Sequence, residues 1–155
     1  RCGTSTTSAS SPDSNTGLDP MPNRYLTAIY TEGGRALPCL DCWGLTLIAR
    51  VELFGLPMLT DFGGVTRLTP VSMQRACDTE IQRALEQCEP GAGVIAAAYR
   101  GRLLDHVGLL VDVDGRLQVL EINPGSGVSL TPLQKFSDKY SKVVFYRDRN
   151  LPIAP

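Results

Sequence analysis

The chain has no apolar run near the ~18 residues a helix needs to cross a bilayer, so no membrane span is expected. It has no surplus of either charge: 15 Lys+Arg stand against 16 Asp+Glu, a formal net charge of −1. Binding driven by phosphate neutralisation needs a basic excess, so nucleic acid is not expected as a partner. Histidine and tryptophan are scarce, at one of each in 155 residues. A His-rich metal site is therefore excluded, and imidazole chemistry falls on His106 alone. Cysteine is sparse and odd in number, at five, which does not read as a disulfide framework. The opening residues lack the apolar segment of a secretory leader, so none is expected there.

The composition is 43% hydrophobic and 20% charged, typical of a globular domain. The length suits one domain, with roughly two-thirds of its unfolded surface to bury. The 15 Gly and 11 Pro predict many turns. Residues 1–20 are Ser/Thr-rich, with Leu18 the only large aliphatic side chain. Too little apolar surface is available there to offset the ordering entropy. They are expected to be a flexible lead or an upstream extension, with Met21 as a natural start and 21–155 as a single domain. Arg1, Asp13 and Asp19 are the charges of that lead, so the remainder is neutral.

Periodicity places a helix from Asp41 onward. Leu45, Leu47, Ile48, Val51, Leu53 and Phe54 form a broad apolar face, Asp41 suits an N-cap, and Gly55 then Pro57 end the helix. A second helix is predicted from a Thr69 cap and Pro70 to about Cys88, closed by Pro90-Gly91. Its face carries Met73, Cys77, Ile81, Ala84, Leu85 and Cys88. The period then changes. Strands are expected at 94–99, 106–111, 117–122, 127–130 and 142–146, with Asp112-Val113-Asp114-Gly115 as a hairpin turn. Thr131-Pro132 opens a short helix to about Tyr140, and 151–155 is a tail. Helices followed by a strand meander predict an α+β fold, an antiparallel sheet with helices packed mainly on one side.

Cys39 and Cys42 form a C-x-x-C pair. A zinc site would need two further ligands, which the chain does not supply in a recognisable pattern. A redox pair normally follows a strand of a βαβ unit, and no such unit is read here. The third reading makes Cys42 alone the working residue, at a helix N-terminus where the dipole favours a thiolate. Asp41, being negative, opposes that unless its carboxylate is engaged in capping. Cys77 and Cys88 read as core packing. A thiolate nucleophile needs a base, and His106 lies on a predicted strand. A lone strand histidine is also a common structural residue. Glu121 and Asn123, two apart and on one face, are the candidates to orient its imidazole. Glu121 interrupts the apolar run Val119-Leu120-Glu121-Ile122; a solvated edge position is its plainer reading.

These residues carry a resemblance. Asp41-Cys42-Trp43-Gly44-Leu45, followed by Phe54-Gly55, is similar to the nucleophile segment of the NlpC-type cysteine peptidases. These are papain-like cell-wall hydrolases of bacteria and phages, and the match is to the phage tail-associated branch. Tyr30-Thr31-Glu32-Gly33-Gly34 resembles that branch's Y-x-x-G-G segment, and Asp105-His106-Val107-Gly108-Leu109 its general-base strand. Leu120-Glu121, Gly127-Val128 and Val144-Phe145-Tyr146-Arg147 resemble its later strands, so the likeness covers about 24–148. Glu121 stands where the family usually has a third His, and Ala92 where it often has Asp.

The resemblance implies a papain-like domain with its nucleophile at a helix N-terminus. It implies hydrolysis of an amide in peptidoglycan stem peptides through a thioester. Cys42 would attack, His106 would move the proton, and Glu121 or Asn123 would hold the ring. The Cys42 N–H and the Tyr30 side chain would stabilise the oxyanion. Trp43 would wall the substrate groove, its plainer reading being helix-to-sheet packing. No metal or organic cofactor is implied. The expected partners are the peptide substrate and other tail-tip proteins. The expected location is the virion tail tip, acting in the bacterial cell wall or periplasm after synthesis in the host cytoplasm. A catalytically silent tail protein and an amidase or acyltransferase using the same site are the alternatives.

Overall fold

The computed structural model describes residues 21–149. The lead at 1–20 and the tail at 151–155 lie outside the described residues. Local signals account for the first helix. Asp41 is extended, and its side chain accepts a hydrogen bond from the Gly44 N–H, which meets one of the unpaired donors of a first turn. Helix α1 then runs Cys42–Phe54, and Gly55 ends it at φ 63, a conformation easiest without a Cβ. Ahead of α1, the two-residue strands β1 (Ile29–Tyr30), β2 (Arg35–Ala36) and β3 (Cys39–Leu40) form a small sheet ordered β1-β3-β2. No period is readable in strands that short, so the sequence marks no strand here.

The second helix is shorter than predicted. Helix α2 spans Pro70–Ala84, with Pro70 in its first turn and no capping bond from Thr69. Leu85–Gln87 is a strand, β4, and not the last helical turn. It pairs antiparallel with the final strand, β9 (Lys142–Asp148). The Cys88 N–H continues that edge by donating to the Phe145 carbonyl at 2.9 Å. The apolar spacing was equally compatible with helix; the open edge of a strand some 60 residues later decided the outcome.

The remaining strands are β5 (Ile95–Arg100), β6 (Leu103–Val113), β7 (Arg116–Asn123) and β8 (Gly127–Pro132). Val113 pairs with Arg116. That leaves a two-residue turn in which Asp114 (φ 53) and Gly115 (φ 82) both take positive φ, as a type I′ hairpin requires. The sheet order is β4-β9-β5-β6-β7-β8. The meander is therefore as expected, but β9 returns to insert between β4 and β5. All neighbours in this sheet are antiparallel.

Alternation along β5 separates two layers. Ile95, Ala97 and Tyr99 pack with Cys42 and Leu47 of α1 and Met73 of α2. Ala96 and Ala98 face Phe136, from the short helix α3 (Leu133–Ser137). The two longer helices thus share one face of the sheet, and α3 lies on the other. The result is a mixed α+β fold. Among the described residues no helix is long and apolar enough to cross a membrane.

Candidate active site

Cys42 is the first residue of α1, and a tight junction sets its position. A Cβ on Gly44 would collide with the Gly34 carbonyl, and one on Gly34 with the Cys39 carbonyl. Glycine at both positions lets the first turn of α1 lie directly on the small sheet. The Asp41 carboxylate is fully engaged: Oδ1 accepts from Gly44 N–H at 2.8 Å and Arg35 Nη1 at 2.6 Å, and Oδ2 accepts from Gly33 N–H at 3.0 Å. Its charge is therefore matched by Arg35 and does not simply oppose a neighbouring thiolate. Arg35 also donates to the carbonyls of Asp61, Phe62 and Val65. It thereby ties the connection at 56–69 to the start of α1.

His106 is fully buried on β6, and Glu121 is 1% exposed on β7. Their contact runs from Nε2 to Oε1 at 3.0 Å. Asn123 Nδ2 donates to the same Oε1 at 2.7 Å. Glu121 therefore holds the ring and Asn123 steadies the carboxylate. The cause is local: β6–β7 pairing ends at Leu109–Leu120, so the strands part before His106. Continuing that register would place Gly108 opposite Glu121, and a Cβ on Gly108 would strike Val119. The bare backbone leaves the Glu121 side chain room to lean toward the imidazole.

Burial alone would push the His106 pKa down, but the Cys42 thiol and the Glu121 carboxylate outweigh it and raise it to about 9. Burial would raise Glu121, yet hydrogen bonds from His106, Thr131 and Asn123 bring it down to about 2. With an ionised carboxylate on Nε2, that nitrogen carries a proton. His106 Nδ1 has no hydrogen-bond partner, so it is the nitrogen left to exchange a proton with the thiol. Cys42, His106 and Glu121 are thus brought together from three elements.

One expected role is altered. The Tyr30 hydroxyl donates to Glu32 Oε1 at 2.9 Å. Burial, this bond and the charge of Cys42 all raise its pKa. Tyr30 is therefore close to the thiol, but its proton is committed to Glu32. Trp43 packs against the core that Cys42 and Leu47 of α1 share with Met73 of α2 and Ile95 and Ala97 of the sheet, so its packing and groove readings stand together. Its Nε1 donates to the Thr60 carbonyl at 3.0 Å, its ring lies 6.5 Å from that of Phe62, and it lines a cavity with Cys42.

Several residues escaped the sequence reading. Arg67 donates to Asp105 Oδ2 at 3.4 Å. Burial opposes its charge, but Asp105, Cys42 and Tyr30 raise its pKa, which puts a cation beside the thiol. Arg100 Nε reaches the same Asp105 oxygen at 3.1 Å. Phe136 and Tyr140 flank the imidazole at 5.9 and 6.2 Å between centroids, and so wall it from solvent. Asp105 and Glu32 lay inside recognised segments and were visible there. Arg67, Phe136 and Tyr140 sit in stretches without a local cue.

The two cysteines of the C-x-x-C are in different states. Cys39 is disulfide-bonded, while Cys42 is a free thiol, so the two do not form a dithiol pair. Cys2 lies outside the described residues. Among the described residues, no three His, Cys, Asp or Glu side chains group to hold a metal ion. No family model matches the chain, and no curated protein matches it significantly.

Proposed function

We propose that this chain is a papain-like cysteine hydrolase of the NlpC type, cutting an amide in peptidoglycan stem peptides as part of a phage tail tip. It would act in the bacterial cell wall or periplasm. One observation carries the reading: a buried imidazole, held through Nε2 by Glu121 and unbonded at Nδ1, is acted on by a thiol at the first turn of a helix. That is the arrangement a thiol nucleophile with its base and orienting group requires.

In this reading His106 Nδ1 takes the Cys42 proton, and the thiolate attacks the carbonyl carbon. The tetrahedral oxyanion is met by the Cys42 N–H, whose place in the first turn leaves it without an intrahelical partner. Arg67 adds a cation on the same side, and Tyr30 can join only by leaving Glu32. The intermediate collapses to a thioester as His106 protonates the leaving amine. The imidazole then activates water to release the acid and restore the thiol. An amine in place of water would give acyl transfer, and product masses separate the two.

The test compares muropeptides released from peptidoglycan by the wild type and by Cys42→Ala. The wild type is expected to release stem-peptide fragments and the variant none. Equal release by both would end the reading. A second reading, a silent tail protein, is favoured by burial: Cys42 is 3% exposed. It predicts no release by either protein, and iodoacetamide alkylation no faster than that of a free cysteine below pH ~8.

A further inference from the structure

One end of the large sheet carries unbalanced positive charge. Lys142 on β9 pairs with Tyr99 on β5, and Arg100 on β5 pairs with Leu103 on β6. Adjacent strands lie roughly 4.8 Å apart, so Lys142, Arg100 and the turn residue Arg102 form one row across three strand ends. The Gly101 N–H ties that turn to Ser141 Oγ at 2.7 Å. Arg100 Nε and Arg67 Nη2 meet the same Asp105 oxygen, at 3.1 and 3.4 Å, which extends the row to Arg67. Lys139, exposed like Arg100, Arg102 and Lys142, immediately precedes Tyr140, whose ring stacks on His106. Asp105 and Asp138 are the acids among these residues, and Asp138 accepts from Gln134. Arg102, Lys139 and Lys142 have no carboxylate partner among the described residues. At the other end of β6, Asp112 and Asp114 stand beside Arg116, so the surplus is confined to the His106 end. Of these cations the proposed mechanism uses Arg67 alone.

We propose that this basic row is a docking surface for a base-free phosphodiester polymer of the cell wall, of the poly(glycerol phosphate) type. Separate, exposed cations in a row match anions repeated along a chain, whereas a single anion is held by converging donors. The aromatic rings at the row are already covered. The Arg100 guanidinium lies over Tyr140 at 5.1 Å, and the Lys142 ammonium over Tyr99 at 4.7 Å. A single-stranded nucleic acid therefore finds charge here but no platform on which its bases stack. The choice of a wall polymer rests on the hydrolase reading; the row itself does not. A polymer docked there holds the domain on the wall with the imidazole beside it.

The test is a binding measurement that needs no catalysis. End-labelled poly(glycerol phosphate) is titrated with the full chain carrying Cys42→Ala, and anisotropy is read at 50 and 200 mM salt. Five phosphate contacts predict an affinity about 100-fold lower at the higher salt. Adding Arg102→Gln, Lys139→Gln and Lys142→Gln together should weaken binding at least tenfold at 50 mM and reduce the salt effect to about 10-fold or less. Removing three exposed cations elsewhere, by Arg24→Gln, Arg116→Gln and Arg147→Gln, should change affinity less than about threefold, although net charge falls equally. No binding by the parent chain, or equal weakening by the two triple variants, would overturn the surface. If the first triple variant loses its melting transition, the salt dependence of the parent chain decides alone. An oligothymidylate of equal phosphate number should bind no more tightly than the polymer; a tenfold tighter complex would overturn the choice of partner. Polymer binding by the wild type without muropeptide release ends the hydrolase reading and leaves the surface standing. Release without polymer binding does the reverse.

Discussion

Two buried ion pairs begin on or beside α1, and they differ in what surrounds them. His106 and Glu121 meet at 3.0 Å with side chains 0% and 1% exposed. Arg50, two turns beyond Cys42 on α1, meets Asp148 of β9 at 2.6 Å with side chains 1% and 7% exposed. The first pair touches a third titratable group, the Cys42 thiol, and keeps a ring nitrogen unbonded. The second adds a backbone carbonyl, that of Pro57, at 3.3 Å, and its Arg50 Nε and Nη1 are also buried without a hydrogen-bond partner. A pair coupled to a thiol has a proton to move. A pair coupled to a carbonyl fixes the helix to the far strand. Burial by itself therefore does not mark function; the chemistry of the neighbour does.

The sharpest way to break this contrast is to remove one member from each pair. His106→Ala is expected to lower hydrolysis of peptidoglycan by about 10,000-fold, as measured by initial rates of fragment release. Wild-type activity in that variant would return the first pair to a structural role. Arg50→Met should leave Asp148 buried without its partner and lower unfolding free energy by about 3–5 kcal/mol, read from urea denaturation. Adding Asp148→Leu should recover much of that loss, because two buried charges are then replaced by apolar groups. Recovery of nothing would mean the pair is not what Arg50 contributes.

Glu121→Gln sharpens the comparison through pH. Part of the rise in the His106 pKa comes from the Glu121 carboxylate. The wild-type rate should therefore fall as pH climbs through about 9, where the imidazolium loses its proton. In the variant that alkaline limb should move to lower pH, with the plateau rate down roughly 10–100-fold by analogy with lost orienting groups. The same shifts carry stability. His106, raised in the fold, contributes fully below its unfolded pKa of about 6.5, and the contribution fades as pH rises toward 9. Glu121, lowered in the fold, contributes above its ordinary value of 4.5 and loses that contribution as pH falls toward 2. Melting temperature should thus be highest near pH 5–6 and fall on both sides. An unchanged alkaline limb in Glu121→Gln would mean the carboxylate does not act on the ring.

The two regions also differ in how far they could be read. The start of α1 was legible because every signal is local: the Asp41 cap, the Gly55 stop and Gly44, where no side chain fits. The 112–115 turn was legible for the same reason, with two positive-φ positions filled by Asp and Gly. Glu121 and Asn123 were both proposed for the ring, and their order followed from where β6 and β7 part. Arg50 was hidden on an apolar helix face, with its partner 98 residues away. The insertion of β9 and the shortening of α2 have the same origin, long-range pairing without a local mark. Arg67 belongs with these, since it reaches the thiol's surroundings from a connection without regular secondary structure.

The smallest expected effect concerns Tyr30, where recognised segment and observed geometry pull apart. An oxyanion-hole donor is typically worth 100-fold or more in rate. Here the Tyr30 proton is already given to Glu32, and serving the oxyanion would strip the half-buried Glu32 carboxylate of that bond. Glu32 Oε2 has no hydrogen-bond partner, so the loss would leave neither oxygen with this donor. With Arg67 and the Cys42 N–H as the remaining donors, Tyr30→Phe is expected to cost less than about tenfold in kcat. Glu32→Gln should cost no more, since an amide oxygen still accepts from the hydroxyl. A loss of 100-fold or greater in Tyr30→Phe, with KM unchanged, would show that the hydroxyl turns from Glu32 to the oxyanion during turnover. That result would place Tyr30 with His106 rather than among the supports of the fold.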